Sequence, residues 1–428
     1  MKRKRAANSR EMVIKCCLKG HLQQAAIPHL PSLQRRIDSL SRFRRRGSLL
    51  VNHFIIFCME NDLALPAFSF NDITKLFTKG IANQRVFIPS LNEFYAQHQR
   101  RYEWKEEDRF PYDNDAFNYA MKDYFTCFVN SLVANTKKRQ YSYLTSMAVQ
   151  LQIEKADIHP LRCAINGWAT NNPLRGNKMA RLRVFIRAQR LALGLGRNDS
   201  LNAAFINTHL VDMVRYQYMM LRGLEANGCS GFTIAPMHQN RRYFMHVSKN
   251  VMYGLMQEAG MFAGNNEAFH ASYFYHFNRF FKLRKLVRKR LKFTGFLSTD
   301  GVAISFHFDK TVQQAEEAPP PANPARLIAI DPGRANIIYA VEQLADGRYN
   351  KWKLTRKDLY SRAHINKNRK RVERENQLRT VKRHIEALSV ASLTVGNLRT
   401  FEKNLDVHLR YQSRLFNHFN QHKMARWR

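Results

Sequence analysis

The chain has 428 residues, with 70 Lys and Arg against 33 Asp and Glu and a formal charge of +37. Its length predicts roughly two to four domains with a sizeable core, and 45% hydrophobic and 12% aromatic residues exclude wholesale disorder. So basic a chain points to a polyanionic partner, nucleic acid ahead of an anionic membrane surface, because dense phosphate charge rewards distributed Lys and Arg.

The N-terminus opens on Lys2, Arg3, Lys4 and Arg5 with no apolar stretch behind them, so a secretory signal is not expected. The cluster reads as a nuclear-localisation patch, a phosphate-binding arm or simply a basic terminus. The most apolar stretch, 49–59, is interrupted by Asn52 and His53, so no membrane span is expected. The six cysteines, at 16, 17, 58, 127, 163 and 229, form no C-x-x-C pair, and neither a zinc site nor a disulfide framework is expected from them.

Residues 31–228 follow as a helical region. Segments 49–60, 119–134 and 179–193 carry apolar residues at three- and four-residue spacing. Basic residues interleave with them: Arg42, Arg44, Arg45 and Arg46, then Arg175, Lys178, Arg181, Arg183, Arg187 and Arg190. Either cluster alone fits a solvated helix face. Their repetition in so basic a chain favours a surface that tracks phosphates.

From 229 the pattern becomes richer in strands. Residues 231–236 and 243–247 read as short strands, and 249–259 as a helix. Phe280, Leu283, Val287 and Leu291 fall at steps of three and four, predicting a helix whose other faces carry Lys282, Arg284, Lys285, Arg288, Lys289, Arg290 and Lys292. Tyr273, Phe274, Tyr275, Phe277 and Phe281 crowd its start, suited to core packing or to base stacking. A hairpin follows: 293–298 leads into Thr299, Asp300 and Gly301, and Val302, Ile304, Phe306 and Phe308 alternate beyond the turn.

Residues 311–325, with Pro319, Pro320, Pro321 and Pro324, read as a linker. Beyond it an apolar strand delivers Asp331 into a Pro-Gly turn. A second strand returns from Asn336, and a third spans 348–355. Asp331 has two open readings: a ligand for a divalent cation at the end of a first strand, or the cap of a tight turn. Arg334 is placed to steer a phosphate. Leu378, Val381, Ile385 and Leu388 mark one later helix, and Phe401, Leu405 and Leu409 another.

The segment IAIDPGRANIIYAV resembles the first RuvC motif of Fanzor proteins, eukaryotic relatives of TnpB, and TGFLSTDGVAISFHF resembles their Thr-Asp-Gly segment. The match covers about 290–428. The resemblance implies a multidomain α+β fold: a basic segment and first β-rich element (1–30), a helical recognition region (31–228), a small WED-like barrel (229–310), the linker (311–325) and a partial RuvC, RNase H-like domain (326–428).

It further implies an RNA-guided DNA endonuclease acting in the nucleus on guide RNA and target DNA, with no membrane or small-molecule substrate, and with Mg²⁺ held in part by Asp331. Asp300 and Gly301 would serve only the turn. RuvC chemistry needs two further acids. Glu373, Glu375, Glu386 and Glu402 read as helical, and Glu342 falls on the neighbouring strand, so the chain is expected not to cut DNA alone. The alternative is a non-enzymatic nucleic-acid-binding remnant or regulator of a transposon-derived nuclease. A partial sheet exposes an edge, so 326–428 is expected to be marginally stable.

Overall fold

The computed structural model describes residues 9–82, 88–102, 115–287, 291–311, 327–331, 336–344 and 346–421. It is a mixed α/β protein, mostly helical, with small antiparallel sheets. The chain divides into two compact units, one formed by 1–28, 264–385 and 417–428, the other by 29–263 and 386–416. No described helix is long and apolar enough to cross a membrane.

In the first unit, β1 (Ser9–Cys17) leads into the short helix α1 (Leu18–His21). The larger unit starts with α2 (Leu30–Glu60), whose Pro31 sits in the first turn, where the missing N–H costs nothing. Between Phe43 and Cys58 every residue of α2 is buried, the signature of a helix surrounded by others. Around it pack α3 (Phe70–Ala82), α4 (Pro89–His98), α5 (Asp115–Ser146) and α9 (Leu210–Ala226). Gly47 lets α3 approach: a Cβ there would lie 1.9 Å from the Phe77 ring.

Helices α6 (Ile158–Asn166), α7 (Gly176–Ala192) and α8 (Ala203–Thr208) continue the unit, α6 lying against both α5 and α7. Of the three segments with helical apolar spacing, two thus fall within α2 and α5, and the third falls in α7 up to its C-cap Leu193. Inside this layer, Gln140 Nε2 donates to Asn166 Oδ1 at 3.0 Å and to Tyr216 Oη at 2.9 Å, so the buried amides are partnered.

Of the two short strands expected at 231–236 and 243–247, only the second forms, as β2 (Met245–Val247). Residues 231–236 form no ladder, the chain bending at Ile234 and Ala235, and side chains take its place: Asn52 pairs with Ala235, and Asn135 Nδ2 donates to the Thr233 carbonyl at 3.1 Å. Helix α10 (Lys249–Glu258) follows, capped by Ser248, whose hydroxyl accepts from Val251 N.

The smaller unit resumes with α11 (Asn266–Ala271) and α12 (Tyr273–Phe280). The helix expected through 280–292 is not found. Helix α12 ends at Phe280, Phe281 bridges Leu22, and Lys282 N donates to the His21 carbonyl at 2.7 Å. Phe280, Phe281 and Leu283 are all buried, and pairing with the β1–α1 segment satisfies backbone groups that a helix would have used. A 3₁₀ turn at Leu283–Lys285 leads on, and Leu291 already begins β3 (Leu291–Thr299).

The hairpin between β3 and β4 (Ala303–Thr311) forms as the Asp-Gly dipeptide predicts. Asp300 Oδ1 accepts from Val302 N at 3.0 Å and Ala303 N at 2.7 Å, while Gly301 takes φ 83°. Strand β4 also pairs antiparallel with β1, from Ser9 opposite Thr311 to Cys17 opposite Ala303. The inner face gathers Phe277, Phe281, Phe293, Phe306 and Phe308, so of the aromatic cluster Phe277 and Phe281 are core, while Tyr273 and Phe274 are half-buried and Tyr275 is exposed.

A second antiparallel sheet runs β5 (Leu327–Asp331), β6 (Asn336–Gln343) and β7 (Tyr349–Thr355). Then come α13 (Arg356–Arg362), opened by a Thr355–Asp358 capping box, α14 (Ile365–Asn376), α15 (Arg379–Val390) and α16 (Leu398–Phe419). Ile328, Ile330 and Trp352, in register across Ala340 and Glu342, remain 43–64% exposed.

Candidate functional site

Among the described residues, one group of His, Cys, Asp and Glu side chains is close enough to share an ion: His53, His98 and Glu402, with donor atoms within 4.8 Å of one another. Three helices of the larger unit supply them. His53 lies on the buried part of α2, His98 is the last residue of α4, and Glu402 sits in the second turn of α16. His53 is fully buried and His98 nearly so, while the Glu402 side chain keeps 21% of its surface.

His53 Nε2 stands 3.1 Å from Glu402 Oε1, and His98 Nε2 stands 3.5 Å from the same oxygen. The two rings lie 4.6 Å apart. Phe94 meets both imidazoles edge-on or tilted, Phe57 adds an edge to His98, and Phe401 stacks on His53. Around this runs a polar layer. Tyr102 Oη is 3.0 Å from His53 Nδ1, and Arg101 Nη1 is 3.0 Å from both His98 Nδ1 and Glu402 Oε1. Arg101 Nε donates to Asp406 at 3.1 Å.

Electrostatics follow from burial. Both histidines are held neutral: burial pushes His53 down and takes His98 to about 4, with His53 and Arg101 adding to the latter. The hydrogen bond from His53 and the charge of Arg101 hold Glu402 below its ordinary value, against the opposing effect of its own burial. Two neutral imidazoles beside a carboxylate form a set that can hold a metal ion.

The residues singled out in the sequence lie elsewhere. Asp331 closes β5 at an exposed position, opposite Tyr339 in the ladder, and belongs to no group of three potential ligands among the described residues. Arg334, Arg288, Lys289 and Arg290 lie outside the described residues. Arg284 and Lys285 are exposed on the 3₁₀ turn and Lys292 on β3, while Lys282 is half-buried and donates to the Gly20 carbonyl at 3.3 Å.

Arg44, Arg45 and Arg46, expected on a phosphate-tracking surface, are instead 1%, 7% and 9% exposed. They are internal struts of the larger unit. Arg44 lies 3.4 Å over the Tyr243 ring, Arg45 donates to the His238 carbonyl and lies 3.2 Å from His408 Nδ1, and Arg46 donates to the Arg101 carbonyl at 3.3 Å. Burial lowers the Arg45 guanidinium to about 10. Spacing within α2 could not reveal this, because its partners come from residues some 50 to 360 positions away.

Basic surface is found on other helices. On α7, Arg183 and Arg187 face outward beside Val184 and Leu191. Helix α14 buries none of its residues and carries Lys367, Arg369, Lys370, Arg371 and Arg374. Sequence reasoning missed His53, His98 and Glu402 because they share no local spacing. The only signal was a histidine set within the most apolar stretch of the chain.

No protein-family model matches this chain, and no curated protein matches it.

Proposed function

We propose that this chain is a nucleic-acid-binding protein of the Fanzor type, clamping a guide RNA and its DNA target in the nucleus. The observation that carries the reading is Asp331 at the exposed end of the first of three antiparallel strands, with a solvated basic helical run after the third, in a chain of net charge +37. On this reading β1, β3 and β4 belong to a WED-like barrel, and β5–β7 open a RuvC-type sheet. Mg²⁺ would be taken at Asp331 only with further carboxylates completing the set. Guide pairing reads sequence, while Lys and Arg hold backbone phosphates.

A second reading, a binder without nuclease chemistry, is favoured by one fact: no described acid joins Asp331 in a potential metal group. Purifying the full chain and sequencing its co-eluting RNA separates the two. A single structured species supports a guide, and a smear supports general binding. Affinity that stays constant from about 50 to 200 mM salt overturns both, since released counterions make phosphate binding steeply salt-dependent.

A further inference from the structure

We infer that His53, His98 and Glu402 form a binding site for a divalent transition ion of the zinc class, one that staples α16 to α2 and α4 independently of any nucleic-acid role. Geometry carries the inference. Tetrahedral ligands at Zn–N and Zn–O distances of 2.0–2.1 Å lie about 3.3 Å from one another. Two edges of the donor triangle measure 3.1 and 3.5 Å.

A second observation points the same way. His98 Nε2 is buried with no hydrogen-bond partner, although it faces Glu402. A buried polar atom left without a partner is destabilising, and an ion bound at that atom would remove that cost.

The donor set selects the metal. Imidazole nitrogen suits zinc, nickel, copper and cobalt, whereas Mg²⁺ demands octahedral oxygen. Charge also fits. With neutral imidazoles, Glu402, Asp406 and Arg101 sum to one negative charge, so a divalent cation leaves the cluster at one positive charge. On metal uptake the proton that His53 Nε2 gives to Glu402 moves to Nδ1, where Tyr102 Oη can accept it, leaving Nε2 with its lone pair for the metal.

At His98 the tautomer shifts. Where Arg101 donates to Nδ1, the proton sits on Nε2. On metal uptake that proton moves to Nδ1 through solvent, and Arg101 keeps Glu402 and Asp406 as partners. Three protein donors leave the fourth position to water, which enters from the partly exposed Glu402 side.

The test uses the full chain stripped by a chelator. Zn²⁺ is titrated against a chromophoric competitor, Co²⁺ uptake is followed in the visible spectrum, and melting is recorded with each ion. One equivalent of Zn²⁺ that raises the melting temperature, a tetrahedral Co²⁺ spectrum without thiolate charge transfer, and no effect of Mg²⁺ are expected. Tyr102→Phe should weaken Zn²⁺ binding about 10- to 100-fold, and His98→Gln and Glu402→Gln should weaken it further. Absent stoichiometric uptake overturns the site, as do unchanged affinities in all three variants, which would mean an adventitious ion on other histidines. If the variants fail to fold, the wild-type Co²⁺ spectrum decides alone: octahedral or thiolate-bound cobalt rejects the site.

Discussion

The side chain of Asn52 takes both backbone polar groups of Ala235: its Nδ2 donates to the Ala235 carbonyl at 3.1 Å, and its Oδ1 accepts from the Ala235 amide at 3.0 Å. One amide thereby does for a buried residue in a bend what a neighbouring strand would do in a sheet. Asn52 and Ala235 are both buried, so neither backbone group has water as a substitute. Asn52→Leu should therefore lower unfolding stability by roughly 1–3 kcal/mol for each group left unpaired. Urea denaturation measures this directly. A loss near zero would mean that the 231–236 segment finds other partners.

The approach of α3 to α2 at Gly47 makes a second prediction. Gly47→Ala pushes a methyl into the Phe77 ring and should destabilise by about 1–3 kcal/mol, as overpacking does. Phe77→Leu should recover part of that loss when combined with it. A double-mutant cycle with no coupling would place the cost in the backbone instead.

His238 supplies a pH dependence. Burial first, then Arg44 and Arg45, lower it from 6.5 to about 3. In the unfolded chain it protonates near its ordinary value, so between the two values the unfolded state binds more protons and stability falls as pH falls. The loss begins near 6.5 and ends near 3. His238→Gln should flatten the curve of urea midpoint against pH across this window. An unchanged slope would show that His238 is not one of the groups responsible.

On α7, Arg183 and Arg187 are surface charges, whereas Arg190 is fixed to the Ile165 and Asp199 carbonyls at 3.0 and 2.9 Å. Arg183→Gln with Arg187→Gln should leave melting unchanged. The slope of log affinity against log salt should drop by roughly one for each phosphate that is no longer neutralised. A full retention of slope would remove α7 from the proposed nucleic-acid surface.

The exposed Ile328, Ile330 and Trp352 on the β5–β7 sheet predict a weak point. Limited proteolysis of the full chain should cut within 327–385 before it cuts the larger unit. Resistance of that region would show that its sheet is covered in solution.

Elements whose signals are local were legible in the sequence. The Asp300–Gly301 turn, α10, β5 to β7, α15 and α16 followed from turn chemistry and periodicity. What failed was set by distant partners. Residues 231–236 lack a ladder because of Asn52 and Asn135, and the 280–292 helix gave way to pairing with Leu22. Arg44 looked like surface because charge is normally solvated, yet Tyr243 covers it. The metal-competent triad joins positions 53, 98 and 402 and carries no motif a single stretch could display.

The pairing of β1 with β4 sets an order of assembly during synthesis. Cys17 has no ladder partner until Ala303 has been made, and every helix of the larger unit before that point emerges in between. At roughly 5–20 residues per second that interval is on the order of 15–60 s. Through it β1 is a nascent strand with both edges open, available to any chaperone or neighbouring chain that can add a strand. The smaller unit is therefore the slow-closing part of this protein, and conditions that pause translation before residue 303 should be those under which the nascent chain aggregates.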